Sequence, residues 1–206
     1  YHDRATVHGH PIREPGELWR SADPVHGISL HTLPLDHGVP AWGYRLVERS
    51  GWTMQPDKLR EAGVQGPQIK QLQVEGKVVI EGREIVLEQV AVPRQGQVVA
   101  FVMDTRLCDN AFALAEGADM LICESTYIDE DEDKAHENGH LTARQAARIA
   151  REAGAKLLVL THFSRRYERN APFLAEARDE YPGAEIIAAK DFDVLPLPKR
   201  ARKTKD

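Results

Sequence analysis

The feature that most constrains the fold is an alternation of short apolar runs with helix-length segments in the second half of the chain. Val98–Met103 is continuously apolar, the pattern of a strand covered on both faces. Asp119–Cys123, Lys156–Leu160 and Glu185–Ala189 read as further strands. Between them, Asn110 is placed to cap a helix running through Glu116 and ended by Gly117. Thr142 is placed to cap a second helix, with Ala143, Ala146, Ala147, Ala150 and Ala153 on one narrow stripe and Gly154 at its end. Pro172–Tyr181 predicts a third helix. Strands and helices alternating at these lengths predict an α/β layered domain.

The first half is less regular. Residues 1–27 predict loop with at most short strands. Ile28–Leu33 and Trp42–Val47 predict two strands around the turn Pro34–Pro40. From about Ser50 to Pro93, Gly63, Gly66-Pro67, Gly76 and Gly82 punctuate short amphipathic pieces such as Pro56–Ala62 and Lys77–Ile80, the character of an inserted arm. The 206 residues suffice for one large domain, or one domain with an appendage, and 42% hydrophobic content supports a real core. No apolar run approaches the ~20 residues needed to cross a bilayer, and the start lacks the basic and apolar regions of a secretory signal. Cys108 and Cys123 are the only cysteines, too few for a disulfide framework, so a cytoplasmic location is expected. A net charge of −5 speaks weakly against nucleic acid, but phosphate binding depends on local patches and bound cations.

Three segments carry strong metal ligands: Leu35-Asp36-His37, Val102-Met103-Asp104-Thr105 and Leu160-Thr161-His162-Phe163. Asp104 and His162 directly follow strands, and in α/β domains ligands collect at the carboxyl ends of strands. Each alone is an ordinary polar strand-end residue. Together they point to a metal site assembled by the fold, with an imidazole and carboxylate chemistry that suits zinc, manganese or iron. A carboxylate can bridge two cations, which makes Asp104 the bridging candidate. Glu124 follows another strand, and His140 precedes the helix cap Thr142. A Glu124–His140 pair could donate a proton to a leaving oxygen. On spacing alone, the plainer reading of His140 is a solvent-exposed residue at a helix start. His8-Gly9-His10 reads as an exposed His-rich loop, and Asp129–Asp133 as a solvated acidic loop without the glycine and spacing of a calcium site. Arg165, Arg166 and Arg169 are surface charge, or phosphate ligands if a metal centre lies beside them.

From Leu33 to Phe192 the sequence resembles the bacterial ribonuclease Z family of tRNA 3′-processing endoribonucleases. The resemblance rests on Asp36-His37-Gly38-Val39-Pro40-Ala41-Trp42-Gly43-Tyr44-Arg45, Met103-Asp104-Thr105-Arg106, Cys123-Glu124-Ser125-Thr126-Tyr127, Gly139-His140-Leu141-Thr142 with Gln145-Ala146-Ala147, Leu160–Tyr167, and Asp191-Phe192. It implies the carboxy-terminal portion of a metallo-β-lactamase fold, an αββα sandwich. Residues 1–49 and 94–198 would form that domain, 50–93 a protruding tRNA-binding arm and 199–206 a basic tail. It also implies two zinc ions per active site, with His37 on one, His162 on the other and Asp104 bridging. His140 would be the general acid, Glu124 its partner, precursor tRNA the substrate and a homodimer the assembly. The charge of the arm is nearly balanced, seven basic against six acidic residues from Arg49 to Arg94.

Three departures stand out. The family's H-x-H-x-D-H motif, which supplies further ligands and the general base, is absent and is expected before Tyr1. Met103 stands where the family has glycine, and Leu141 where it has serine. Two alternatives stay open: another metallo-β-lactamase-fold phosphodiesterase, or a catalytically incomplete fragment that binds RNA or a partner.

Overall fold

The computed structural model describes residues 9 and 11–200. His8 and His10, and the tail from 201 onward, lie outside the described residues. One mixed sheet organises the molecule. In chain order its strands are β1 (Gly16–Arg20), β2 (Ile28–Leu35) and β3 (Ala41–Glu48), then, after the arm, the strands Val98–Val102, Met120–Glu124, Leu157–Thr161 and Glu185–Ala188. The arm supplies β4 (Gly51–Met54), α1 (Pro56–Glu61), α2 (Pro67–Glu75), β5 (Lys77–Ile80), β6 (Arg83–Val86), α3 (Leu87–Val90) and β7 (Ala91–Arg94), so the four later strands of the main sheet are β8 to β11. The sheet order is β1-β2-β3-β8-β9-β10-β11. Pairing is antiparallel from β1 to β8 and parallel from β8 to β11.

Helices α4 (Asp109–Ala115), α6 (Ala143–Ala153) and α7 (Ala171–Glu180) bury their apolar faces in the same core as the inward residues of the sheet. The alanine stripe of α6 is the reason they pack so closely: Ala143, Ala146, Ala147 and Ala150 are fully buried, while Arg148 and Arg151 point to solvent. Thr142 caps this helix, its hydroxyl accepting from the Gln145 amide while the Gln145 side chain returns a bond to the Thr142 amide. Gly43 allows the close approach of α4 to β3, since a Cβ there would lie 2.3 Å from Leu114 Cδ1.

Some sequence expectations shift. The helix at Asn110 starts on Cys108, and the Asn110 side chain instead donates to the Pro34 carbonyl at 2.8 Å. The acidic run is not a free loop. Asp129–Asp131 forms a 3-10 turn leading into α5 (Glu132–Asn138), where negative charge suits a helix start. Val98–Met103 is not covered equally on both faces. Ala100 and Val102 are fully buried, whereas Phe101 is 37% exposed. The opposite face has its own smaller cluster around Met120, Leu157 and Val159, against which Leu195 of the final segment packs.

The arm has a separate core. Leu59, Val64, Leu72, Val78, Ile80, Leu87, Val90 and Ala91 cluster together, with Trp52 and Met54 at the base. Its two ends leave the main sheet side by side through the β4–β7 pairing. Glu48, the last residue of β3, ties the junction: its carboxylate accepts from Arg94 at the end of β7, from the Gln97 amide at 3.0 Å and from Arg200 at 2.6 Å.

Burial pushes the Glu48 carboxyl up, but these three sets of hydrogen bonds outweigh it and hold the group at about 2. Folding stability from Glu48 is therefore present above the ordinary unfolded glutamate value and is lost as pH falls from about 4.5 towards 2. Its side chain is 25% exposed, so the contribution is of order 1–2 kcal/mol. Glu48→Gln should be less stable than wild type by that amount at pH 7 in urea titrations, and the gap should close by about pH 2.

Candidate metal centre

Strand ends build the site. The parallel strands β8, β9 and β10 point the same way, so the residues that follow them converge on one edge of the sheet. Asp104 follows β8, Glu124 ends β9 and His162 follows β10. Asp104 and His162 both adopt left-handed backbone, with φ of 56° and 60°. That region costs a non-glycine residue ~1–2 kcal/mol and is rare outside turns and functional sites. His140 arrives from the other direction, in the link between α5 and α6, after Gly139 turns the chain at φ 79°.

Glu124 is the hub. It is fully buried, and four donors converge on its two oxygens. Oε1 accepts from the Thr105 amide at 2.6 Å, and Oε2 from the Thr126 hydroxyl at 2.6 Å and the Leu141 amide at 3.1 Å. His140 Nδ1 lies 3.0 and 3.1 Å from the two oxygens. Two of these donors are backbone groups adjacent to Asp104 and His140, so the carboxylate fixes the chain positions of both. The hydrogen bond to Glu124 raises the pKa of His140 above the usual histidine value, against the opposing effect of burial. The His140 side chain is only 16% exposed. The solvent-exposed helix-start histidine expected from spacing is thus not what forms, because Gly139 and the Glu124 contact turn the ring inward.

Asp104, His140 and His162 each offer a ligand atom within 4.8 Å of the others. Asp104 Oδ1 is the telling atom. It is buried without a hydrogen-bond partner, 3.4 Å from His162 Nε2 and 3.9 Å from His140 Nδ1. An unsatisfied carboxylate oxygen facing imidazoles is what a cation would repair. The donor set suits zinc and related divalent ions. The ring of His162 is oriented from behind, with Nδ1 2.8 Å from the Thr126 hydroxyl.

His37 stands beside this group of three, its ring centroid 5.1 Å from that of His140. Its Nδ1 donates to the Gly139 carbonyl at 2.8 Å, so Nε2 is the nitrogen with a free lone pair. The turn that carries His37 is strapped to the β8 exit. The Asp36 amide donates to the Thr105 hydroxyl at 3.1 Å, and the Arg106 amide donates to the Asp36 carbonyl at 2.7 Å. Arg106 also donates through Nε to the His136 carbonyl at 2.7 Å, linking the same turn to α5. Sequence reasoning assigned no role to Thr105, Thr126 or the Gly139 carbonyl. The available signal was position: each lies within two residues of a residue already singled out. Leu141 is fully buried and reaches Glu124 through its amide, so that bond does not depend on which side chain stands there. Arg166 pairs with Asp131 and lies over the Tyr127 ring at 5.5 Å, and the Arg165 and Arg169 side chains are exposed.

Comparison with known proteins agrees with this architecture. A family profile described as "Beta-lactamase superfamily domain" matches residues 85–163. The ribonuclease Z of Nocardia farcinica is 44% identical over 200 residues, 97% of this chain and 64% of the relative. The ribonuclease Z of Streptomyces coelicolor is 43% identical over 190 residues, covering 92% of this chain and 60% of the relative. The chain thus spans somewhat under two thirds of the length of these curated relatives. Among solved structures, the short form of human tRNase Z is similar at a TM-score of 0.52 and 22% identity, over 90% of this chain and 48% of that one. The metallo-β-lactamase fold protein YhfI of Bacillus subtilis gives 0.51 at 20% identity, over 85% and 49%. The fold is therefore that of the metallo-β-lactamases, and the described residues supply one sheet of it with helices on one face. Among them, no helix is long and apolar enough to cross a membrane.

Gly139 generates a direct test. A Cβ there would sit 2.6 Å from His37 Nδ1, on backbone that side chains rarely adopt. Gly139→Ala should lose ~1 kcal/mol of stability from the backbone alone. Gly139→Asn tolerates the left-handed backbone better but carries the same Cβ, so both should displace the His37 ring. Crystal structures of the two variants check this; an unmoved His37 in both would count against the steric coupling.

Proposed function

We infer the function from the family to which this chain belongs by sequence, the ribonucleases Z: the whole protein is a metal-dependent endoribonuclease that removes the 3′ trailer of precursor tRNA. Cleavage would leave a 3′-hydroxyl on the tRNA and a 5′-phosphate on the trailer. The observation that supports this reading is the pairing of Glu124 with His140 beside the unsatisfied Asp104 oxygen, the arrangement that a proton donor next to a bound cation would need.

In this reading Asp104, His37 and His162 would hold divalent metal such as zinc, together with ligands from elsewhere in the protein. Bound there, the metals supply Lewis acidity towards a phosphate and lower the pKa of a water. The rest falls to the side chains. Glu124 keeps the His140 ring in place and favours its protonated form. His140 then gives its proton to the departing 3′-oxygen, and Glu124 stabilises the resulting hydrogen-bonded neutral ring in one orientation. The buried setting strengthens both effects by excluding water. The separately packed arm, residues 50–93, would grip the tRNA body away from the scissile bond. Its nearly balanced charge means that recognition would rely on shape and on local segregation of charge rather than on net attraction. Such a substrate places the enzyme in the cytoplasm.

His140→Ala should slow single-turnover cleavage of precursor tRNA by ~10²–10⁴-fold with little change in substrate affinity. A substrate with sulfur in place of the 3′-bridging oxygen has a leaving group that needs no proton, and it should recover most of that loss. Equal slowing on both substrates would remove the proton-donor role. Deleting residues 50–93 should abolish tRNA cleavage yet spare a small chromogenic phosphodiester. Loss of both activities together would count against the arm as a tRNA-binding element.

A further inference from the structure

Thr126 is 6% exposed and sits between two residues of the site without belonging to either. Its Oγ1 lies 2.6 Å from Glu124 Oε2 and 2.8 Å from His162 Nδ1. A hydroxyl has one proton and two lone pairs. Which neighbour receives the proton follows from the rest of the network. The two Glu124 oxygens are met by the Thr105 and Leu141 amides and by His140, all three of them donors. A carboxylate so surrounded is an acceptor, and the shortest contact it makes with a hydroxyl is the one from Thr126. The Thr126 proton therefore points at Glu124, and what Thr126 presents to His162 is a lone pair. His162 Nδ1 is then the nitrogen that carries a hydrogen, and in the neutral ring a metal requires, the lone pair sits on Nε2, 3.4 Å from the unpartnered Asp104 Oδ1.

We propose that Thr126 is a positioning residue that selects the tautomer of His162, so that Nε2 is the lone pair presented to the cation site. The chain of bonds Glu124–Thr126–His162 extends the reach of one buried carboxylate to a third strand end. It already holds the β8 exit through Thr105 and the α5–α6 link through Leu141 and His140. A hydroxyl is needed because an amide or carboxylate at this position could not both donate to Glu124 and accept from His162 at these distances from so short a side chain. Serine meets the requirement, and valine, nearly the same shape, does not. The inference rests on the metal-centre reading of the site, and its test separates the two.

The test uses the full-length protein, with zinc as the probe. Zinc affinity is measured by competition with a chromogenic chelator for wild type, Thr126→Val and Thr126→Ser. Thr126→Val should weaken one zinc equivalent by about 10- to 100-fold, and Thr126→Ser should stay within about threefold of wild type. In metal-stripped wild type at a pH high enough for the ring to be neutral, the ring nitrogen chemical shifts of His162 should report the Nδ1–H tautomer. Wild-type zinc affinity in Thr126→Val, even with a lower melting temperature, would overturn the proposal. So would the Nε2–H tautomer of the neutral His162 ring in the wild-type spectrum, a measurement that stands if Thr126→Val fails to fold. Wild type that binds no zinc at all would overturn the metal-centre reading, and this proposal with it.

Discussion

A single buried carboxylate holds the site together. Placing the ionised side chain of Glu124 where water cannot reach it is costly unless every oxygen lone pair finds a donor. The chain meets that demand with two backbone amides, a hydroxyl and an imidazole, drawn from separate segments. Because the donors are fixed only when the β8 exit, the β9 exit and the α5–α6 link are in place together, satisfying Glu124 and assembling the site are the same event. A half-satisfied network of this kind would be worse than an apolar core. That makes the local geometry an all-or-none property of the folded domain.

Around that hub the structure accepts local cost in exchange for arrangement. Asp104 and His162 hold left-handed backbone at strand ends, and Asp104 Oδ1 remains unpaired although buried. The rings of His37, His140 and His162 crowd within 5.2 Å of their neighbours, centroid to centroid. None of these features favours a chain whose only task is to fold. All of them suit one that presents converging lone pairs to a cation. The arm is physically separate from this economy. It closes its own small core and meets the main sheet at a junction secured by Glu48.

The two substitutions relative to the family pattern fit this picture unequally. Leu141 leaves the Glu124 contact intact because the donor there is a backbone amide, and its side chain joins the main hydrophobic core instead. Met103 is followed immediately by the left-handed Asp104, and nothing in the structure shows what the methionine adds.

Much of the architecture was legible in the chain itself. Apolar runs and the alanine stripe announced the strands and α6, because periodicity is set by the geometry of each element, and Thr142 and Gly154 marked the ends of that helix through local hydrogen bonds and a left-handed turn. The structure differs at Asn110 and in the acidic run, because distant partners outcompete the local preferences: the Pro34 carbonyl for Asn110, and Glu176, Arg144, Arg166 and Tyr167 for Asp129 and Asp131. The sequence by itself determined an α/β layered chain with strong ligands at strand ends. Only the tertiary structure decided which of those ligands meet, that His140 turns inward, and that Thr126 and the Gly139 carbonyl orient two imidazoles. The reason is physical: strand and helix signals are written in neighbouring residues, whereas a hydrogen bond between Glu124 and Thr105, Leu141 or His140 exists only once the sheet has brought its strand ends together.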